Sequence, residues 1–276
     1  ADARVPLDVR GLDDATRLFV GFDRVCATRA GGTPVCFSAR RTEPGVGPAA
    51  AELGLDADRL APRGIPALAA KAGHVSFFDR SGHAPVSGIR GAVAIDASYA
   101  SACAARRGAD VACWQWDQGA LEGELHGKPI AIRPKTIAGT RDAIDVAMYG
   151  RACALLSSGK IACFRPEDAA ATLVPGVDDA TQLAAAGLAQ CALHRGGQVS
   201  CWGSIGAGGE AFHGDGKVAG IEGAVSVGVA SYHACVVLRS GKVRCWGSNE
   251  GGKLGRHELA HSDAPVDVAL PAPDSR

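Results

Sequence analysis

Residues Tyr232 to Gly255 read YHACVVLRSGKVRCWGSNEGGKLG, and the fold follows from how this stretch is read. Two apolar runs, Ala234–Leu238 and Val243–Trp246, flank Arg239-Ser240-Gly241-Lys242, a β-hairpin signal with Gly where a positive φ is needed. With Arg239 and Ser240 central in a type I turn and Gly241 as its left-handed bulge residue, the numbers of paired residues sum to 480. Cys235 then stands directly opposite Cys245. Facing residues in an antiparallel ladder have Cα atoms about 4.5–5.5 Å apart, inside the range of about 4.4–6.8 Å that a disulfide accepts.

The same spacing of ten recurs at Cys26/Cys36, Cys103/Cys113, Cys153/Cys163 and Cys191/Cys201, which uses all 10 cysteines. Ser76 to Val86 has the same shape with both cysteines replaced. The turn glycine is expected at Gly32, Gly82, Gly159, Gly197 and Gly241, whereas Gly108 comes one place early. A second marker precedes each hairpin, a Gly four residues before an Ala: Gly11/Ala15, Gly88/Ala92, Gly139/Ala143, Gly176/Ala180 and Gly220/Ala224, with Gly64-Ile-Pro-Ala67 as a contracted copy. From that Ala to the first Cys is 11 residues in four copies and 10 in the copy at Ala143.

Six repeats are therefore expected, starting near Gly11, Gly64, Gly88, Gly139, Gly176 and Gly220. Their length variation falls after the second cysteine, in segments that read as loops (37–63, 114–138, 164–175 and 202–219). A fixed strand core with variable excursions is the pattern of radially repeated sheets. Within Glu43–Arg63, AAAELGLDADRLA reads as a short amphipathic helix. Pro6-Leu7-Asp8-Val9 and Pro265-Val266-Asp267-Val268 carry one strand pattern at the two ends of the chain, so residues 265–270 are expected to close a ring by pairing with the first strand. The expected fold is an all-β, single β-propeller domain over residues 1–276, with six blades favoured and seven as the alternative.

The chain has 276 residues, formal net charge +0 and a pI near 7.2, which leaves no electrostatic footprint for nucleic acid or an anionic membrane. No apolar run approaches the roughly 20 residues of a membrane span. The opening residues ADARVPLDV carry no signal-peptide pattern, so the chain is expected to be a mature form or not to be exported. Cysteines in even, regular pairs argue for an oxidising compartment: extracellular, periplasmic or cell surface. The competing reading is a set of buried free thiols in the cytosol. Each bridge would close a loop of 11 residues, worth about 2.8 kcal/mol in the chain-entropy model. The five are not additive, since each constrains only its own hairpin.

The repeat resembles that of the regulator of chromosome condensation family, with its Gly-x-x-x-apolar start, His-containing turn, Trp-Gly ending and Asn-x-x-Gly-x-Leu-Gly tail. The sixth repeat matches at His233, Gly241, Trp246-Gly247 and Asn249 to Leu254-Gly255. The fifth keeps Trp202-Gly203 and the third keeps Trp114, while Phe37 and Phe164 replace Trp in the first and fourth. The resemblance spans about residues 5–270 and implies a β-propeller. The Cys pair in His-x-Cys…Cys-Trp-Gly is similar to that of exported bacterial members, and the Ala- and Gly-rich composition fits a GC-rich bacterial source. Nothing matches a wedge for a small GTPase or a basic tail for chromatin.

His257-Glu258-Leu259-Ala260-His261 is a literal zinc-protease pattern, in which two His one helical turn apart hold Zn²⁺ and Glu activates water. It falls in a loop that leaves room for one or two helical turns, and no third ligand is evident. His74 and His233 occupy equivalent positions, where a hydrogen bond at the blade turn is expected. Gly206 to Glu210 opens no helix and fails as a nucleotide fingerprint. Trp114, Trp202 and Trp246 are expected between blades, whereas Trp116, beside the long loop 117–138, is expected to be exposed as a partner anchor.

These features point to a non-catalytic, exported scaffold, monomeric or part of a hetero-complex, that binds a protein through its loops and uses no cofactor. Two readings of other classes compete. One is a propeller enzyme, either a metallohydrolase at His257, Glu258 and His261 or a lyase in the channel. The other is a cytosolic regulator of a GTPase or chromatin.

Overall fold

Cys235 faces Cys245 across an antiparallel ladder in which Val237 pairs with Val243. The turn closes as its chemistry requires: Leu238 N–H donates to the Lys242 carbonyl and Gly241 N–H to the Leu238 carbonyl, both at 2.8 Å, with Gly241 at φ +82°. Leu156–Lys160 and His194–Gln198 repeat this turn with Gly159 and Gly197 at φ +85° and +83°. This computed structural model describes residues 15–20, 24–29, 34–38, 51–52, 59–61, 67–79, 82–99, 101–116, 130–204, 216–256 and 258–268. The chain divides into two units, Ala1–Met148 with Phe164–Ala171, and Tyr149–Cys163 with Thr172–Arg276.

In the first unit, β1 (Ala15–Val20), β2 (Arg24–Arg29), β3 (Pro34–Ser38) and β4 (Ala51–Glu52) form an antiparallel sheet in chain order. A second sheet runs β5 (Arg59–Ala61), β6 (Ala67–Lys71), β7 (His74–Asp79), β8 (Gly82–Ser87). The third contains β9 (Ala92–Ser98), β10 (Ser101–Arg106) and β11 (Ala109–Gln115). The excursion that follows serves both neighbours. Its β12 (Ile130–Ala131) adds to β8 in parallel, and β13 (Lys135–Thr136) pairs antiparallel with β11. Strand β14 (Ala143–Tyr149) follows. Leu68, Phe77, Ile95 and Trp114 belong to one buried cluster joining the second and third sheets.

The second unit holds β15 (Arg151–Leu156), β16 (Ile161–Phe164) and β17 (Thr172–Leu173), then β18 (Ala180–Ala186), β19 (Leu188–His194) and β20 (Val199–Ser204). Its last sheet is β21 (Ala224–Val229), β22 (His233–Leu238), β23 (Val243–Ser248) and β24 (His261–Asp267). Leu193, Val199, Val227, Val236 and Trp246 form a cluster between these last two sheets.

The marker Ala has a defined task. Within each unit its N–H donates to the carbonyl of the preceding sheet's turn glycine: Ala92 to Gly73 at 3.2 Å, Ala180 to Gly159 at 2.9 Å and Ala224 to Gly197 at 2.9 Å. The residue before the marker accepts from its own hairpin, Arg107 N–H to Gly91, Arg195 to Asp179 and Arg239 to Gly223. Approach is close enough that a Cβ on Gly197 would lie 2.8 Å from Gly223 Cα. Directly after the marker comes a β-bulge, at Thr16, Val93, Thr181 and Val225. These are the four copies with the longer spacing to cysteine, so the eleventh residue is the bulge. Where Gly108 comes early, Ala143 N–H turns to the Thr140 carbonyl instead, and Thr140 Oγ1 accepts from Val111 N–H while Thr140 N–H donates to Asp110.

Three sequence expectations are corrected. AAAELGLDADRLA is not a helix over its described parts: Ala51–Glu52 and Arg59–Ala61 are strands, and among the described residues the one helical element is the 3₁₀ turn Glu250–Gly252. A lone helix of this length is marginal in water, whereas each strand completes an open edge, on β3 and β6 respectively. The cysteine-free repeat is also read one strand too late. Ala67 opens the second strand of its sheet, β5 precedes it, and Ala72-Gly73 (φ +49° and +83°) forms the turn equivalent to Gly159 and Gly197. That turn has two residues, both left-handed as a type I′ turn requires. Gly82 begins β8 instead, and Ser76 pairs with Pro85 rather than with Val86.

The third correction concerns Cys113, after which the sequence reading starts a loop at once. Cys113 instead lies inside β11, which runs on to Gln115, and its far side pairs with Lys135 of β13, so the segment 114–138 carries strand at both ends. Its hairpin also closes differently. Arg106 pairs with Ala109 across the two residues Arg107-Gly108, and a register shift between Ala104 and Arg106 brings Cys113 back opposite Cys103. The bulge restores the parity that the early glycine would otherwise have broken.

At the C-terminal end, Val266 pairs with Cys245 and Asp267 with Arg244, placing the expected closing strand as the fourth strand of the last sheet. Its N-terminal counterpart, Pro6 to Val9, and residues 269–270 lie outside the described residues, as do Gly11, Gly32, Gly64 and Gly206 to Glu210.

Gly197→Ala is expected to cost roughly 1–3 kcal/mol, because it combines a left-handed φ with a backbone clash. Gly228→Ala, whose Cβ would enter open space, serves as the control. Urea denaturation midpoints of the two variants check this.

Candidate interaction surface

Register puts sulfur opposite sulfur in five hairpins: Cys26 with Cys36, Cys103 with Cys113, Cys153 with Cys163, Cys191 with Cys201 and Cys235 with Cys245. Their Cα–Cα separations are 4.0–4.1 Å and their S–S distances 2.00–2.13 Å. The Cα atoms stand closer than the roughly 4.5–5.5 Å expected of facing residues in general, and just below the lower edge of about 4.4 Å usual for a disulfide. Cys103, Cys113, Cys153 and Cys191 are buried, while Cys36 and Cys235 are partly open. Cysteine chemistry is thereby spent on cross-strand staples, and none of the ten is a free thiol.

The zinc-protease pattern does not adopt the helix its chemistry needs. His261 opens β24, where it pairs with Ser248, and its Nε2 meets Asp263 Oδ1 at 2.5 Å. Glu258 is exposed and faces Arg256 at 3.5 Å. His257 lies outside the described residues, among which no three His, Cys, Asp or Glu side chains gather as a metal site. The segment is shaped instead by Asn249, 7% exposed. Its Oδ1 accepts from Leu254 N–H at 2.7 Å, and its Nδ2 donates to the carbonyls of Arg256 and Leu259. Sequence reading places Asn249 in the repeat tail without this role.

One triad-like chain is present that the sequence reading passes over. His194 Nδ1–H donates to Asp179 Oδ1 at 2.5 Å and its Nε2 accepts from Ser200 Oγ–H at 2.9 Å. The order of groups is that of a serine-hydrolase relay. Access is the difference: Ser200 is 3% exposed in a strand bridged on both sides, by Ala192 and Lys217. A nucleophile must reach a carbonyl carbon beside oxyanion donors, and this hydroxyl instead ties β20 through His194 to the residue before marker Ala180. The hydrogen bond from His194 holds the Asp179 carboxyl below its ordinary value. An analogous tie uses an amide: Gln182 Nε2 donates to the Val227 carbonyl and its Oε1 accepts from Val227 N–H.

Trp114 and Trp246 are buried between sheets of their own units, as the repeat pattern implies; Trp202 is half-buried. Trp116 is not the exposed anchor expected from its place by the loop. It is half-buried, stacked edge-on against Phe77 with ring centroids 5.0 Å apart and planes at 72°. Part of its surface packs against the core cluster of the second and third sheets. His233 is also half-buried, and burial followed by the nearby Lys253 pushes its pKa down. The hydrogen bond at its turn is made by its carbonyl, which accepts from Ala230 N–H. His74 is exposed.

Among the described residues the exposed large apolar side chains are Tyr99, Ile144, Leu173, Val225, Tyr232 and Val237, of which the tyrosines share a place in the repeat. All three tyrosines of the chain fall at the turn joining the first and second strands: Tyr99 after β9, Tyr149 at the end of β14 and Tyr232 before β22. Tyr99 is 52% and Tyr232 51% exposed. The signal was available as Cys minus four, or minus three for Tyr232. The expected binding loops fall mostly outside the described residues (39–50, 53–58, 117–129 and 205–215).

Four-stranded antiparallel meanders joined through marker and turn define an all-β repeat protein of the β-propeller kind. Residues 224–253 match the model of the regulator of chromosome condensation (RCC1) repeat. No curated protein sequence matches it. Among solved structures it is similar to human WBSCR16, 15% identical over 97% of this chain and 85% of that one, with a TM-score of 0.69. It is also similar to a chain of the yeast complex of Kap60 with RCC1 (Prp20), 13% identical over 92% of this chain and 61% of that one (TM-score 0.51). PorZ, described as an essential surface component of the type-IX secretion system of Porphyromonas gingivalis, is 14% identical over 96% of this chain and 39% of that one (TM-score 0.50). At these identities the likeness is one of fold.

The Asp179 carboxylate gives a pH signature. A folded pKa below the ordinary 3.8 contributes stability that is present above that value and lost as pH falls through the folded pKa. Asp179→Asn is expected to lower the thermal midpoint at neutral pH, with wild type and variant converging below about pH 4. Thermal melts from pH 2 to 7 measure it.

Proposed function

We propose that this chain is a non-catalytic, disulfide-braced propeller of an oxidising compartment that binds a protein partner through its loops and turns. The observation that carries the reading is the pair of exposed tyrosines, Tyr99 and Tyr232, each at the turn between the first and second strands of its sheet, though one residue apart in register. Exposed aromatic side chains supply large contact area at low entropic cost, and tyrosine is enriched at interface hot spots. Support for the negative half comes from the residues that could do chemistry. The cysteines face one another, Ser200 is buried in a sheet, and Glu258 and His261 sit apart from a helical metal site. Yeast RCC1 (Prp20), whose fold this chain resembles, occurs in a complex with Kap60; a protein partner for this chain is inferred by analogy with it.

Five cross-strand pairs support a compartment in which thiols oxidise. Thiol titration of purified, denatured protein is expected to find none of the 10 cysteines free; ten reactive thiols would return the chain to a cytosolic role. Partner capture by the full chain should weaken about tenfold or more in Tyr99→Ser with Tyr232→Ser, the scale of a lost hot spot. Stoichiometric zinc that survives dialysis and disappears in His257→Ala would replace the scaffold with a metallohydrolase.

A further inference from the structure

The junction of the second and third sheets is looser than those at Gly159 and Gly197, and a cavity lies beside it. Where Gly159 and Gly197 meet the following sheet, a Cβ would lie 2.7 Å from the Asp178 carbonyl oxygen and 2.8 Å from Gly223 Cα. At Gly73 the nearest atom, Gly91 Cα, is 3.1 Å away, and the Ala92 to Gly73 hydrogen bond is stretched to 3.2 Å. The cause is the turn. Three residues separate Leu238 from Lys242, but only Ala72-Gly73 separates Lys71 from His74. Beside this turn lies a cavity of about 640 Å³ lined by Ala70, Ala72, Gly73, Ala92, Val93 and Arg107, with Gly91 between them.

Its chemistry is uneven. The floor is glycine and alanine, so a ligand meets backbone and methyl groups. Val93, the bulge residue, supplies an apolar wall. Arg107 is the one charged lining residue, exposed, with its backbone N–H fixed to the Gly91 carbonyl at 2.8 Å. Among the described residues no carboxylate pairs with the Arg107 guanidinium, nor with that of exposed Arg90 next to Gly91. A guanidinium over a small-residue shelf suits a carboxylate, which it can grip through two parallel N–H···O bonds, with slender chain on either side.

We propose that this cavity binds an acidic segment of a protein partner, one Asp or Glu carboxylate seated on Arg107 and its flanking backbone on the Gly73–Gly91 shelf. The inference rests on the scaffold reading and adds the chemistry of the partner.

The test uses the full chain and an end-capped, fluorescein-labelled peptide of alternating Gly and Glu, with alternating Gly and Lys as its counterpart. Fluorescence anisotropy should show saturable binding of the Glu peptide alone, weakened about tenfold by Arg107→Ala and much less by Arg107→Lys. Arg239→Ala changes the same turn position at the closed junction of the last sheet and should alter binding less than about twofold. Amide chemical shifts should move at Gly73, Gly91 and Arg107. No saturable binding, equal loss in Arg107→Ala and Arg239→Ala, or shifts confined elsewhere would overturn the proposal. A natural partner captured equally by Arg107→Ala and wild type would also overturn it while leaving the scaffold reading standing; absence of any partner would overturn that reading instead.

Discussion

One backbone hydrogen bond, from the marker Ala to the carbonyl of the preceding turn glycine, sets the constraint that the other features meet. For Ala224 to reach Gly197, the hairpin must present its carbonyl outward in a left-handed conformation, and the facing backbone must come within contact distance. Both demands select glycine. The three-residue turn they produce fixes ladder parity, and parity is what puts Cys191 against Cys201. A slip of one residue would turn every side chain of the strand to the other face, separating the sulfurs and exposing the cluster around Trp246. Turn, latch, staple and core are thus one condition seen at four places.

Where that condition is relaxed, the structure shows what replaces it. The third hairpin has its glycine early; a bulge returns Cys113 to its partner, and Thr140 with Asp110 takes over the anchoring. The second hairpin has lost its cysteines and shortened its turn together; with no sulfurs to oppose, either parity of the ladder can be used.

The local fold was legible wherever a side-chain identity repeated. Cysteine spacing gave the register of the last hairpin to the residue, and the marker Ala gave the first strand of five sheets. Reading failed where the repeat identity was lost. In the second copy, the Gly-x-x-Ala of Gly64–Ala67 and the Ser-Gly of Ser81-Gly82 imitate marker and turn, one strand out of phase with the I′ turn at Ala72-Gly73. AAAELGLDADRLA has helical periodicity, but its ends are taken by sheet edges, a tertiary demand that propensity does not contain. The outer partner of Cys113 was hidden for the same reason, since Lys135-Thr136 is too short and too polar to announce a strand. The candidate site was less legible still. Exposure of Trp116 depended on Phe77 being its neighbour, and the tie of His194 to Asp179 and Ser200 depended on the hairpin closing first.

The fifth strand of the second sheet has a consequence for how the chain is made. Strand β12 is encoded after the whole third hairpin, yet it runs parallel along β8. The second sheet is therefore incomplete while the ribosome synthesises the third, and its outer edge waits through more than forty residues of chain, from Ser87 to Ile130. Folding from the N-terminus one repeat at a time would leave the β8 edge open until β12 is made. Excising or duplicating either repeat alone would leave β12 without β8, or the β8 edge without β12.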